Sequence, residues 1–304
     1  MFCRLTKKKA EDIRRERMNR MMKQPRIYAF ADEASPMIDR QIAAMLRNGL
    51  KGLEIRNVDG ENVSAISLDK AREVRKKLDA AGLAVWSIGS PIGKIDIEKD
   101  DFEAHLEQLR HTVEIAKILG AENIRMFSFY IPQGKDPAAY RDEALNRLHR
   151  MADVCEGTGV TLCHENEKGI YGDMADRCAQ ILEAEPRIAG VFDPANFVQC
   201  GQDTWEAWEK LGGKIKYMHV KDALFQDGSV VPAGKGDGQV KKILVQFLEN
   251  GGECLTVEPH LTVFEALGSL EREGEKSRVG GAFSYPSSDA AFDAACQALR
   301  ELLA

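Results

Sequence analysis

No stretch of this chain is apolar for the length that a bilayer-spanning helix needs, and its seven cysteines include no CxxC pair. The odd count, without that spacing, argues against a disulfide framework or a zinc ribbon and for reduced thiols in a cytoplasmic protein. The turn after the first apolar run reads "ADEASP", without the GxGxxG of a dinucleotide-binding fold. The N-terminal stretch lacks the apolar core of a secretory signal. A basic face is also missing from the body. Residues 1–24 hold nine Lys/Arg against three Asp/Glu, about +6, so with a total of -6 the rest of the chain carries about -12. An acidic body of this kind argues against a nucleic-acid partner, which would need a basic surface. Residues 1–24 themselves read as a solvated basic extension, disordered or helical.

What the chain has is alternation. From residue 26 onward eight short apolar runs occur: "RIYAFADE", "GLEIRNV", "AVWSIGS", "NIRMFSFY", "VTLCHENE", "IAGVFDPA", "IKYMHVKD" and "CLTVEPH". Each is short and rich in β-branched or aromatic residues, as buried parallel strands are. The stretches between them carry helical spacing. Phe102, Leu106, Leu109, Val113 and Ala116 step by 4, 3, 4 and 3, and Leu145, Leu148, Ala152 and Cys155 by 3, 4 and 3. Ile243, Phe247 and Leu248 continue the pattern, as do Phe292, Ala295, Leu299 and Leu302. Eight strand–helix units predict an α/β fold, a single (β/α)8 TIM barrel over residues 25–304. One long insertion, 267–286, separates the eighth strand from the last helix and is expected to be a mobile loop or lid.

Active sites of such barrels lie at the C-terminal ends of the strands. Strand five ends in Glu165, strand six in Asp193, strand seven in His219 and strand eight in Glu258. Strand alternation puts Thr161, Cys163 and Glu165 on one face, Tyr217, His219 and Lys221 on another, and Thr256, Glu258 and His260 on a third. By the same parity His164 points outward, toward the helices. Three carboxylates and one imidazole form an oxygen-rich set suited to Mn²⁺, Mg²⁺, Co²⁺ or Zn²⁺.

These pieces, "GLKGLEIR", "GSPIGK", "HENEKG", "FDPANF", "YMHVKDA", "PAGKGDG" and "TVEPH", resemble in order and spacing the sugar phosphate isomerase/epimerase superfamily, the xylose isomerase-like TIM barrels. The resemblance covers residues 26–304. It implies that Glu165, Asp193, His219 and Glu258 are the metal ligands, Mn²⁺ foremost, and that Glu165 and Glu258 also move protons. Two positions depart from the family pattern. Glu167 stands where a His often follows the first ligand by two residues, and Asn196 where many epimerases have a His. Both lie toward the substrate.

A divalent ion beside two carboxylates suits proton abstraction next to a carbonyl, with the enediolate stabilised by the metal. The expected activity is therefore isomerisation or epimerisation of a sugar, cyclitol or sugar phosphate. Dehydration or lyase chemistry on a keto-sugar or inosose is the alternative enzyme reading, and a non-catalytic sugar-binding accessory subunit is the reading outside the enzyme class. Substrate contacts are expected from Glu54, Arg56, Ser90, Lys94, Asn196, Lys221, Lys235 and His260. The partner is a small carbohydrate, with no nucleic acid and no membrane, and a homo-oligomer is compatible with the sequence. A histidine-rich endonuclease site is disfavoured, since of six histidines only His219 and His260 combine a strand-end position with inward parity.

Overall fold

The computed structural model describes residues 24–264, 279 and 283–304. Eight parallel strands close into a barrel: β1 (Arg26–Ala29), β2 (Gly52–Ile55), β3 (Ala84–Gly89), β4 (Asn123–Met126), β5 (Thr161–Glu165), β6 (Ala189–Phe192), β7 (Ile215–Val220) and β8 (Cys254–Val257). Each strand pairs with its successor, and β8 returns to β1 in the register Arg26↔Cys254 to Ala29↔Val257. The expected (β/α)8 TIM barrel is the observed fold. The basic segment and the 267–286 insertion lie largely outside the described residues.

Helices α1 (Ile38–Arg47), α2 (Leu68–Ala80), α3 (Phe102–Leu119), α4 (Arg141–Cys155) and α5 (Ala175–Ala184) follow the first five strands. Then come α6 (Pro194–Gln199), α7 (Thr204–Leu211), α8 (Val240–Glu249) and α9 (Ser288–Leu303). Helix α3 shows why the sequence folds this way. Asp101 caps its start by accepting the N–H groups of Glu103 and Ala104, and the backbone N–H of Gly120 closes its end on the carbonyls of Ala116 and Lys117. Between the caps, the predicted apolar stripe is buried. It joins one core cluster with outward residues of the two strands it lies against, Ile88 and Ile124, both removed from water. A fully buried aliphatic side chain contributes about 1.5–3 kcal/mol.

The barrel interior is a separate cluster: Tyr28, Trp86, Cys163, Val191, Tyr217 and Cys254. Tyr28 stacks on Trp86 at 5.6 Å and Tyr217 meets Trp86 edge-on at 6.0 Å. This apolar plug fills the lower barrel, so the inward positions above it form a floor of polar groups. The six described cysteines are free. Burial pushes the Cys163 thiol up to about 12, so it behaves as a small hydrophobe in the plug.

Two connections are more elaborate than strand-then-helix. Asn57–Val58 pairs antiparallel with Glu61–Asn62, and Asp222–Ala223 with Val230–Val231. The first pair turns through Asp59 and Gly60, both at positive φ, the geometry that Asp-Gly hairpins favour. Among the described residues no helix is long and apolar enough to cross a membrane.

The loop after β3 depends on one close approach. Gly93 sits at φ +87°, and a Cβ there would lie 2.0 Å from the carbonyl oxygen of Phe127. Its N–H donates to His105 Nε2 at 2.7 Å. Gly93→Ala is therefore expected to cost roughly 2–5 kcal/mol, from left-handed backbone strain and overpacking together, in a urea-unfolding experiment. A loss below about 1 kcal/mol would contradict this account of the loop.

Candidate metal centre

Glu165, Asp193, His219 and Glu258 are brought together at the mouth of the barrel. One donor atom from each lies within 4.8 Å of all the others, and all four residues are buried. His219 Nδ1 is 3.0 Å from Glu165 Oε1, 3.3 Å from Glu258 Oε2 and 3.8 Å from Asp193 Oδ2. Parity acts as read from the sequence. Glu165 and His219 are inward neighbours of Cys163 and Tyr217, whereas His164 faces the other way. There His164 Nε2 meets Ser128 Oγ at 2.9 Å, and burial pulls its pKa down to about 3.

Local structure divides the two oxygens of Asp193 between two tasks. "DPANF" is a helix start, with Asp193 as N-cap and Pro194 in the first helical turn. Oδ1 accepts the N–H of Asn196 at 3.0 Å. Oδ2 is buried and accepts no hydrogen bond. Lys221 Nζ lies 2.9 Å from it, an ion-pair contact without hydrogen-bond geometry. Asn166 clamps the same strand end, donating to Asp193 O and accepting Asp193 N–H.

The electrostatics are those of a crowded anionic floor. Burial pushes the Asp193 carboxyl up to about 6, against the pull of Lys221. Burial would also raise Glu258, but Lys221, then His260 and His219, hold it well below the usual carboxylate range. His219 and Lys221 are driven well above their ordinary values, despite burial, by the carboxylates around them. Three carboxylate oxygens and one imidazole nitrogen, one of the oxygens accepting no hydrogen bond, fit a hard to borderline divalent cation.

Other expected residues fall into three groups. Arg56, Lys94, Asn196, Lys221 and His260 line one narrow cleft together with Glu165 and Glu258. Arg56 is held by Asp32 through Nε at 2.9 Å, by Glu33 at 3.1 Å and by Glu258 at 3.4 Å, and it lies over Phe30 at 4.4 Å. Lys94 pairs with Glu167 at 3.2 Å above the Phe127 ring. Glu54 is fully buried one layer below, beneath His219. Ser90 and Lys235, expected at the substrate, are placed elsewhere. Ser90 Oγ is consumed by backbone, donating to Arg125 O on the neighbouring strand and accepting Ile92 N–H in its own turn. Lys235 is exposed on a loop whose glycines serve Asp222 instead, since Gly234, Gly236 and Gly238 all donate their N–H to that buried carboxylate.

The structure adds groups that were not anticipated. Arg125 places Nε 3.3 Å from Glu165 Oε2 and lines the cleft with Phe127. Alternation along "NIRMFSFY" puts Asn123, Arg125 and Phe127 on one face and was the available signal. Asp32 and Glu33, in the turn after β1, hold Arg56, and burial pushes Glu33 up to about 8 against the pull of Arg56. A larger hollow of about 630 Å³ lies at the opposite rim, among strand starts such as Arg26, Ile215 and Cys254. It holds no comparable cluster of ligating side chains among the described residues.

A family model described as a xylose isomerase-like TIM barrel matches residues 42–271. An inosose dehydratase of Mesomycoplasma hyopneumoniae is 25% identical over 199 residues, covering 60% of this chain and 62% of its own length. Among solved structures, the IOLI protein with a binding zinc atom superposes at TM-score 0.67, with 17% identity over 93% of this chain and 98% of that one. The 3-keto-D-glucoside 4-epimerase of E. coli, in its apo form, superposes at 0.63, with 15% identity over 92% and 99%. At these identities the structural likeness is one of fold.

His164 supplies a test of the two-layer arrangement. With its pKa held at about 3 when folded and near 6.5 when unfolded, it contributes stability that is present above pH 6.5. That share is lost as pH falls toward 3, because the unfolded chain then binds the extra proton. The stability advantage of wild type over His164→Gln should therefore shrink between pH 7 and pH 4 in thermal unfolding. A constant gap across that range would mean that His164 is not a buried neutral imidazole.

Proposed function

The chain belongs to the xylose isomerase-like TIM barrel family, and from that membership we propose that it is a divalent-metal-dependent isomerase or epimerase of a sugar, cyclitol or sugar phosphate. One observation carries the reading. Four successive strand ends deliver Glu165, Asp193, His219 and Glu258 to within 4.8 Å, and Asp193 Oδ2 is left without a hydrogen bond. Mn²⁺ is the favoured ion, and the donor set also suits Mg²⁺, Co²⁺ or Zn²⁺.

A divalent ion held by these four residues supplies a Lewis acid that draws charge from a substrate carbonyl. The chain's own residues do the rest. Glu165 and Glu258 are the two carboxylates of acid–base work. One takes the proton from the carbon beside the carbonyl and the other returns a proton. Return to the opposite face of that carbon gives an epimer, and return to the neighbouring carbon gives an isomer. Lys221 and Arg56, at 3.0 and 3.4 Å, hold Glu258 ionised and ready to accept. Arg125 Nε lies 3.3 Å from Glu165 Oε2 and pairs with that carboxylate. Lys94, Asn196 and His260 line the cleft where hydroxyl groups would be oriented. The buried walls exclude water from the carbanionic stage.

A second reading within the enzyme class is dehydration of an inosose or keto-sugar, in which proton abstraction is followed by loss of a β-hydroxyl rather than reprotonation. It is favoured by the inosose dehydratase likeness. The same ligands and the same two carboxylates serve both outcomes.

Glu165→Gln and Glu258→Gln keep an oxygen donor but remove a base. Each should lower turnover by about 10²- to 10⁴-fold, measured by NMR on a panel of ketoses, inososes and sugar phosphates in D₂O with Mn²⁺. Deuterium entering a recovered ketose indicates epimerisation or isomerisation, and an enone or dicarbonyl product indicates dehydration. Near wild-type turnover by both variants would refute the two-carboxylate mechanism.

A further inference from the structure

The acid beneath His219 has no direct route to a substrate. Glu54 is completely buried and does not line the cleft. Both of its oxygens are engaged. Oε2 lies 3.0 Å from His219 Nε2, and Oε1 accepts the phenol O–H of Tyr217 at 2.8 Å. Tyr217 OH in turn meets Ser87 Oγ at 3.2 Å. This polar column stands directly on the aromatic plug, since Tyr217 belongs to both.

Its placement is built into the sheet. The β2–β3 register steps from Leu53↔Val85 to Glu54↔Ser87, so Trp86 is an extra residue. Trp86 and Ser87 thereby both serve the interior, Trp86 in the plug and Ser87 under Tyr217. Bulges re-aim side chains in this way. The imidazole is also wedged. Phe30 meets it edge-on at 5.2 Å and Tyr217 lies at 5.6 Å. A flipped ring would turn C–H groups toward both Glu54 and Glu165.

We infer that Glu54 is the positioning residue of the metal site: by accepting the Nε2–H of His219 it fixes the tautomer whose bare Nδ1 faces Glu165, Asp193 and Glu258, and so makes Nδ1 the ligating nitrogen. The inference rests on the metal-site reading proposed above. A ligating nitrogen must be deprotonated, and a neutral imidazole keeps its one proton on the other nitrogen. Glu165 Oε1, also 3.0 Å away, is an equal acceptor for Nδ1 until a cation occupies that side, and the acceptor fixed beside Nε2 then holds the one proton there. Tyr217 and Ser87 keep the Glu54 carboxylate from turning away. A carboxylate on the far side of a ligating histidine also raises the basicity of the bound nitrogen.

The test uses the full chain labelled with ¹⁵N-histidine and loaded with Cd²⁺. Long-range ¹H–¹⁵N spectra should show His219 protonated at Nε2 and metal-shifted at Nδ1. The opposite assignment would overturn the inference without any variant. In parallel, Zn²⁺ titration calorimetry on Glu54→Gln should show affinity weakened roughly 10- to 100-fold. The amide of that variant can present either an oxygen or an NH₂ to Nε2, so its spectra should lose the single tautomer. Wild-type Zn²⁺ affinity in a folded Glu54→Gln protein would overturn the role of Glu54 and leave the metal site standing. A wild-type chain that binds neither Zn²⁺ nor Cd²⁺ would overturn both.

Discussion

Everything at the mouth of this barrel follows from placing Glu165, Asp193 and Glu258 in one buried volume around a single imidazole nitrogen. Carboxylates out of water repel one another and lose hydration, and the penalty is bearable only with cations and hydrogen bonds in good geometry. The molecule provides them in rings. Lys221 bridges Asp193 and Glu258, Arg125 faces Glu165, and Arg56 reaches Glu258. His219 stands at the centre with a carboxylate on each ring nitrogen. The remaining imbalance is concentrated on Asp193, where burial outweighs its partners and one oxygen accepts no hydrogen bond. A divalent ion held there, as proposed, would relieve that imbalance.

The supporting fold serves this constraint. The plug of Tyr28, Trp86, Cys163, Val191, Tyr217 and Cys254 closes the barrel from below, so the polar groups stand on a rigid base. The extra residue in β3 lifts Ser87 under Tyr217, and Tyr217 lifts Glu54 under His219. At the rim, one sequence word, "DPANF", ends a strand, caps a helix and leaves Asp193 Oδ2 beside Lys221 and His219. Within this one side chain, Oδ1 caps the helix and Oδ2 is left to the anionic cluster.

The eight strands, the helical stripes and the inward face of β5, β7 and β8 were legible in the sequence, because period-2 and period-3.6 patterns survive in short buried elements. Parity tells which face a residue occupies and nothing about its height. Glu54 and Arg56 share a face of β2, yet one lies below His219 and the other lines the cleft. Lys235 drew attention through its glycines, whose function is to surround Asp222 with N–H donors. Asp32 and Glu33 were missed because the turn after β1 has no ligand spacing of its own, and their meaning appears only when Arg56 arrives from β2. The Glu167 departure acquires a physical sense in the same way. It supplies the partner of Lys94, so the wall of the cleft carries an ion pair at this position.

The central claim is that the four strand-end residues form a metal site. Elemental analysis of the purified full chain after incubation with Mn²⁺ or Zn²⁺ and desalting addresses it most directly. The account predicts one equivalent of divalent metal per chain, lost in Asp193→Ala and in His219→Ala while circular dichroism shows the barrel still folded. No bound metal in the wild type, or an unchanged equivalent in both variants, would contradict it.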